Sequence, residues 1–144
     1  MRFEFRDFPF LDAAFASAAQ QGKDLTSAKG ESIRAAEAAA AAADQGKFWE
    51  YHEALFSNQH GENQGAFSDE RLKEIAKTIG LDMTAFNSAF DGRAHIAEIV
   101  AMYEEATRIG ISSTPSYVIN GQVFQVRSYD DLKQRIEAAL AGQP

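Results

Sequence analysis

The strongest constraint on the fold is the stretch STPSYVINGQVF, in which Asn120-Gly121 separates two short apolar runs. Asn-Gly between such runs is the strongest local signal for a β-hairpin, because both residues of a type I′ turn need positive φ. We therefore predict strands at about 116–120 and 123–127. Pro115 cannot donate a hydrogen bond within a sheet, so its place is at the mouth of the first strand.

The rest of the chain has mainly helical patterns, preceded by one further strand. Residues 2–6, Arg-Phe-Glu-Phe-Arg, alternate strictly, which predicts a half-buried strand. Capping residues and three-and-four spacing of apolar residues predict helices. We place them at about 12–20, from Ser32 as N-cap to Asp44, at 47–59, from Ser68 as N-cap to Gly80, from Asp82, at 93–108, and from Ser128 to Leu140.

The helix at 47–59 is notable for its aromatic residues. The spacing of Phe48, Trp49, His52, Leu55 and Phe56 places them on one face. Large apolar residues on a shared helix face are typical of core positions, so we expect this face to be buried. His52 is expected to be a core or half-buried residue of that face.

Composition limits the classes of partner and of chemistry. A chain of 144 residues with 45% apolar residues is typical of one globular domain. Its net charge of −7 argues against nucleic acid or an anionic membrane as partner. The chain contains no cysteine, so its own residues provide no disulfide, thiolate nucleophile or cysteine-ligated metal.

No catalytic, metal or cofactor site is predicted from the remaining polar residues. His52, His60 and His95 are dispersed and lack the spacing of a zinc motif. The hydroxyl residues at 112–114 have no histidine or lysine near them in sequence to act as a base. We therefore expect no catalytic residue, no metal and no bound cofactor.

Four segments of the chain resemble one family of proteins. They are FEFRDFPF, RAAEAAAAAADQGKFWEYHEALF, DERLKEIAKTIGLD and GISSTPSYVINGQ. They resemble the DsbA-like thiol–disulfide oxidoreductases of the thioredoxin fold, over residue 2 to about 140. The resemblance implies an α/β class and an incomplete thioredoxin-like fold in a single domain, 1–144. A helical insertion at about 32–108 then separates the first strand from a C-terminal β-hairpin and helix.

The same resemblance implies a peptide-binding loop at Ser113, Thr114 and Pro115. In such proteins the proline matching Pro115 is cis, and the residue matching Thr114 offers its backbone to an extended peptide or protein chain. A trans proline without a thioredoxin-like sheet would instead indicate an unrelated helical binding protein. The family is commonly extracytoplasmic, whereas the start of this chain lacks the continuous apolar core of a signal peptide, which leaves the location open.

The chain departs from the family at its catalytic motif. The Cys-x-x-Cys of the family lies between its first strand and first helix, and RFEFRDFPF resembles the strand that follows that helix. A second alignment places FEFRDF on the first strand and Phe10-Leu11-Asp12-Ala13 where the motif belongs. The two cysteines are absent under both alignments. Because thiol–disulfide exchange needs an attacking thiolate, this chain cannot perform it. Two hypotheses follow: a redox-inactive scaffold that binds an extended peptide or partner chain, or a truncated or engineered fragment of an active oxidoreductase.

The resemblance also predicts an incomplete sheet. The missing strand of the family would lie between the strands matching 2–6 and 116–120. Without it, both neighbours would expose backbone donors and acceptors, which invites pairing with another chain. We expect either residues 2–6 to pair with 116–120, or two chains to exchange strands in a homodimer, and we favour the homodimer.

Overall fold

The computed structural model describes residues 1–12, 15, 17–18, 21–28, 30–61 and 64–142. Within them the chain forms six α-helices and a two-stranded antiparallel sheet, a mixed α/β structure that is mostly helical. The helices are α1 Glu31–Ala43, α2 Phe48–Ser57, α3 Asp69–Thr78, α4 Met83–Asp91, α5 Ile96–Arg108 and α6 Tyr129–Leu140. The strands are β1 Tyr117–Ile119 and β2 Gln122–Phe124, and a 3₁₀ helix, Leu25–Ser27, precedes α1.

Helix α1 is the centre of the helical body, because its alanine-rich sequence lets neighbouring helices approach closely. One side of α1 packs against α2, α3 and α4, and the other side packs against α5. The first core contains four alanines of α1, Ala38, Ala39, Ala41 and Ala42, together with Tyr51, Leu72, Phe86 and Phe90. The second core contains Phe15, Leu25, Ile33, Ala36 and Ile99.

The buried Tyr51 shows how the first core accommodates a polar atom. Its hydroxyl donates a hydrogen bond to the Leu72 carbonyl oxygen at 2.8 Å. Burial raises the pKa of Tyr51, so the phenol stays neutral and its polar atom is satisfied.

Three of the predicted helix starts, at Ser68, Asp82 and Ser128, are confirmed by capping hydrogen bonds. The Ser68 side chain accepts from the Arg71 N–H at the start of α3. The Asp82 carboxylate accepts from two backbone N–H groups at the start of α4. These caps are local, so the sequence pattern was sufficient to place them.

The N-cap predicted for α1 is wrong. Ser32 lies inside the helix and Gly30 is the N-cap residue, without a side chain to satisfy the first N–H groups. The carboxylate of Asp12 does so instead, accepting from the Ser32 N–H at 3.2 Å and the Ile33 N–H at 2.9 Å. Asp12 is buried, and its distance in sequence from α1 explains why the local pattern did not reveal it.

The helix predicted near 12–20 falls largely outside the described residues. Phe15 and residues 17–18 have helical conformation, and Phe15 is fully buried in the second core. The helix predicted to begin at residue 93 begins three residues later, at Ile96. Residues 92–95 form turns, and Arg93 has a φ of 54°.

The β-hairpin is confirmed, with strands shorter than predicted. Asn120 and Gly121 have φ values of 50° and 83°, as a two-residue type I′ turn requires. The register pairs Ile119 with Gln122, Val118 with Val123 and Tyr117 with Phe124. Helix α6 packs on β1, and among the described elements the hairpin and α6 contact no other helix.

The strand predicted at residues 2–6 is wrong. These residues, called the N-terminal arm from here on, carry no strand pairing and are exposed to solvent. Their strand-like alternation lacks a neighbouring strand, and their two phenylalanines contact α2 instead: Phe3 lies 5.7 Å from Trp49 and Phe5 lies 4.8 Å from His52, between ring centroids. The pairing of the arm with β1 of the same chain is therefore not formed.

The residues after the arm lie on α5. Phe8 stacks on Tyr103 with ring centroids 5.1 Å apart, and Arg6 forms an ion pair with Glu105. Asp7, half-buried between them, has its pKa raised to about 6 by burial, with a contribution from the charge of Glu98.

Replacing Asp7 by asparagine is expected to stabilise the protein at high pH. The folded state favours the neutral carboxyl, so its contribution is present below the unfolded pKa of 3.8 and is lost as pH rises through about 6. Asp7→Asn should raise the free energy of unfolding at pH 8 by about 1–3 kcal/mol and have little effect at pH 3, where the carboxyl is mostly neutral in both states. Urea unfolding followed by the fluorescence of the single tryptophan measures this, and an equal change at both pH values would contradict it.

Candidate functional site

The loop before β1 places the three predicted site residues together at the surface. Thr114 and Pro115 are exposed, Ser113 is half-buried, and the Thr114–Pro115 peptide bond is cis. The Ser116 hydroxyl donates to the Ser113 carbonyl oxygen at 2.6 Å, which closes the loop on itself. Gln125 donates to the same hydroxyl from beyond β2. The loop is thus held against the hairpin while Thr114 faces solvent.

The outer edge of β1 continues from this loop. In a two-residue hairpin the closing pair exchanges hydrogen bonds across the turn, and the next pair does not. Given the register, the N–H and C=O of Val118 therefore point away from β2. No third strand pairs with β1 in the part of the chain that the structure describes. An edge of this kind can accept an extended polypeptide by adding it as a strand.

One face of the hairpin is apolar and exposed. Val118 and Val123 form a cross-strand pair and are 48% and 38% exposed. On the opposite face, Tyr117, Ile119 and Phe124 are half-buried. The Phe124 ring there lies 4.6 Å from the Arg135 guanidinium of α6. The edge of β1 thus adjoins an uncovered apolar surface, which is suited to an apolar partner.

A second exposed apolar surface lies on α2, where the sequence predicted a buried face. It consists of Phe3, Phe5, Phe48, Trp49, His52 and Phe56, called the aromatic cluster. The rings of Phe48 and His52 lie 5.7 Å apart, and those of His52 and Phe56 lie 4.8 Å apart.

The prediction for α2 is wrong in two respects: Leu55 lies on the core side rather than with Trp49 and Phe56, and the side that carries these two is exposed. Trp49 is 52% and Phe56 is 66% exposed, whereas Tyr51 and Leu55 are buried. The core takes the side of α2 that carries these last two residues. The aromatic cluster therefore lies on the outer side of α2, although its Phe48 is half-buried and packs against the first core. His52 has the half-buried position expected of it.

A buried charge network joins α1, α3 and the turn before α5. Glu37, 1% exposed, accepts hydrogen bonds from Arg34 at 2.8 Å and from Arg93 at 2.9 Å. Arg34 also binds Asp69 in a bidentate manner, at 2.8 and 3.0 Å, and its guanidinium lies 3.6 Å from the ring centroid of Phe90. The only sequence signal was the three-residue spacing of Arg34 and Glu37 within an alanine-rich helix.

The structure does not bring the histidines or the loop hydroxyls into a catalytic arrangement. His95 hydrogen-bonds to Asp44 at 2.8 Å, and His52 belongs to the aromatic cluster. Among the described residues, no group of three histidine, aspartate or glutamate side chains could hold a metal ion. The buried charge network joins helices of the helical core to one another, which is a structural role. The exposed β1 edge and the loop before it are therefore the candidate binding site.

Comparison with known proteins identifies the family of this architecture. The DSBA-like thioredoxin domain matches residues 2–137. Disulfide bond formation protein D of Bacillus subtilis (strain 168) is 26% identical over 102 residues, which cover 69% of this chain and 46% of that protein. No solved structure matches the chain.

Two other relatives carry the name of sodium–proton antiporters. Na(+)/H(+) antiporter NhaA 1 of Salinispora arenicola (strain CNS-205) is 34% identical over 110 residues, or 75% of this chain. Na(+)/H(+) antiporter NhaA of Herminiimonas arsenicoxydans is 33% identical over 96 residues, or 67% of this chain. The matched regions are only 16% and 14% of those proteins. In the described part of this chain, no helix is long and apolar enough to cross a membrane.

Proposed function

Because the chain belongs to the DSBA-like thioredoxin domain family, we propose that it binds an extended polypeptide without redox chemistry of its own. The site is the Ser113-Thr114-Pro115 loop together with the outer edge of β1. The observation that carries this proposal is the free backbone of β1, which lies next to an exposed loop and an uncovered valine pair.

Such an edge binds by a simple mechanism. An incoming strand would exchange main-chain hydrogen bonds with Val118, which requires no particular side chain in the ligand. Alternate side chains of the ligand would then lie on the face of Val118 and Val123, which favours apolar residues at every second position. The loop would extend the contact, since Thr114 is exposed and lies inside the turn that the Ser116–Ser113 hydrogen bond closes.

The binding test uses the direction of the Val118 N–H. The probe is a fluorescein-labelled ten-residue peptide of alternating valine and threonine, and binding is measured by anisotropy. Val118→Pro removes the N–H that faces the free edge and leaves the hydrogen bonds to β2 in place. We expect the affinity to fall at least tenfold.

The matched control is Val123→Pro. Val123 is the cross-strand partner of Val118, so its N–H faces the opposite edge, away from β1. Both variants remove an N–H that does not pair within the hairpin, so we expect them to perturb the hairpin to a similar extent, which circular dichroism checks. Equal affinities of the two variants for the peptide would contradict binding at the β1 edge.

The absence of redox activity has its own test. With no cysteine in its 144 residues, the purified chain should not reduce insulin disulfides or oxidise a dithiol peptide above the buffer rate. Turnover by the metal-free chain would contradict this expectation.

A second candidate function is that of a fragment of a complete thiol–disulfide oxidoreductase. It is favoured by the match to Disulfide bond formation protein D, of which the chain covers 46%. In that case the cysteine motif would be supplied by a segment outside these residues. An in-frame Cys-x-x-Cys segment encoded upstream of Met1 would support it, and its absence from the genomic sequence would exclude this form of the proposal.

A further inference from the structure

We propose that the polypeptide bound at the β1 edge is the N-terminal arm of a second copy of this chain, in a symmetric dimer. This inference rests on the proposed function, because it uses the same edge. In the dimer, the arm of each copy pairs with β1 of the other, and the aromatic cluster of each copy covers Val118 and Val123 of the other.

The arm has the alternating sequence of a strand without the pairing of one. Its residues alternate between charged Arg2, Glu4 and Arg6 and apolar Phe3 and Phe5, and all five are exposed. Among the described residues, the backbone of the arm forms no hydrogen bond with any other segment. It therefore presents free donors and acceptors, as the outer edge of β1 does.

Side-chain contacts already hold the arm in place on α2. Phe3 packs on Trp49, while Phe5 packs on Phe48 and His52, with centroids 5.5 and 4.8 Å apart. These contacts use the phenylalanine rings and leave the backbone free. A strand from another chain can add to the arm without displacing it, so part of the ordering entropy is already lost before association.

The two exposed apolar surfaces are complementary in this arrangement. Phe3 and Phe56 are each 66% exposed, and Val118 is 48% exposed. When an arm pairs with β1 of the other copy, its phenylalanines extend the same sheet face as Val118, and the rest of the aromatic cluster lies above that face. A two-fold dimer forms each contact twice, so the β1 edge and the arm of both copies are used within the same dimer.

The occupant is a second copy because both halves of the contact are unsatisfied in one chain. The arm lies on α2, and β1 pairs only with β2 in the described structure. The same molecule thus carries a strand-like arm that pairs with no strand and a β1 edge to which no strand is added. Among the described helices, only α6 of the same chain packs against the hairpin, which leaves space for the other copy.

The absence of cysteine makes disulfide cross-linking a direct test. A chain with Phe3→Cys is mixed with a histidine-tagged chain with Val118→Cys and oxidised at 50 µM. Because Phe3 and Val118 are placed on one sheet face, we expect a cross-linked heterodimer. A mixture of Glu4→Cys and Val118→Cys is the matched control, because neighbouring residues of a strand face opposite sides, and it should yield at least fivefold less product.

Light scattering after size exclusion measures the mass without substitutions. We expect twice the chain mass of 15.8 kDa at high concentration and dissociation on dilution. A concentration-independent monomer would overturn the proposal. So would a disulfide formed within single chains of a Phe3→Cys/Val118→Cys variant, or equal products from the two mixtures.

The outcomes separate this inference from the proposed function. Cross-linking through Phe3→Cys supports the dimer whether or not the free peptide binds, because the arm would compete for the same edge. Peptide binding without cross-linking overturns the dimer and leaves the proposed function intact. If neither the peptide nor the arm binds, both proposals fail.

Discussion

Replacing Glu37 by alanine is expected to destabilise the helical body by about 3–5 kcal/mol. Glu37 is 1% exposed and is the shared partner of Arg34 and Arg93. Its removal leaves two guanidinium groups without their buried counter-charge. The loss is therefore much larger than that of a surface ion pair, and chemical unfolding followed by Trp49 fluorescence measures it.

Glu74→Ala is the matched control for this prediction. Glu74 also pairs with an arginine three residues away, Arg71, at 3.0 Å, but both side chains are about half exposed or more. Its replacement should change the free energy of unfolding by less than about 0.5–1 kcal/mol. Equal effects of the two substitutions would mean that the buried network contributes no more than a surface pair.

The same substitution has a local effect that a general loss of packing would not produce. Arg93 also donates to the carbonyl oxygens of Thr26 and Ala28, both at 2.6 Å. Without Glu37 its guanidinium loses the group that orients it toward this segment. Amide exchange at residues 25–28 should therefore accelerate more than exchange in α3.

Features specified by neighbouring residues could be predicted from the sequence. The Asn120-Gly121 turn needs positive φ at two successive residues, and few dipeptides meet that requirement. The Ser68 cap lies next to the helix that it begins. The family resemblance then supplied the class of fold and the position of the Ser113-Thr114-Pro115 loop, which hydropathy patterns alone did not provide.

Features that depend on distant partners could not be predicted in this way. Alternation at residues 2–6 is compatible with a strand, but a strand forms only when another backbone pairs with it. The outward position of Trp49 depends on which side of α2 the core uses, and Tyr51 and Leu55 take that side. The exposure of Val118 likewise follows from the absence of a covering element over the hairpin in the described structure.

Replacing Gly30 by alanine should destabilise α1 by about 1–3 kcal/mol through a partner eighteen residues away. Gly30 has an extended backbone with φ of −76°, which alanine adopts without strain. A Cβ at this position would overlap the carboxylate of Asp12. Asp12 would have to leave the Ser32 and Ile33 N–H groups, so the start of α1 would lose its cap.

A double-mutant cycle tests this cause directly. Asp12→Ala alone should cost about as much as Gly30→Ala, because both remove the same cap. In the Asp12→Ala background the second substitution should cost almost nothing, which gives a coupling energy of about 1–3 kcal/mol.

Gly46→Ala serves as the control, since Gly46 has a φ of 70° and open space around it. Its cost comes from backbone strain alone and should add independently to that of Asp12→Ala. Additive costs for Gly30→Ala and Asp12→Ala would contradict this cause, because Gly30→Ala would then cost the same whether or not the Asp12 carboxylate is present.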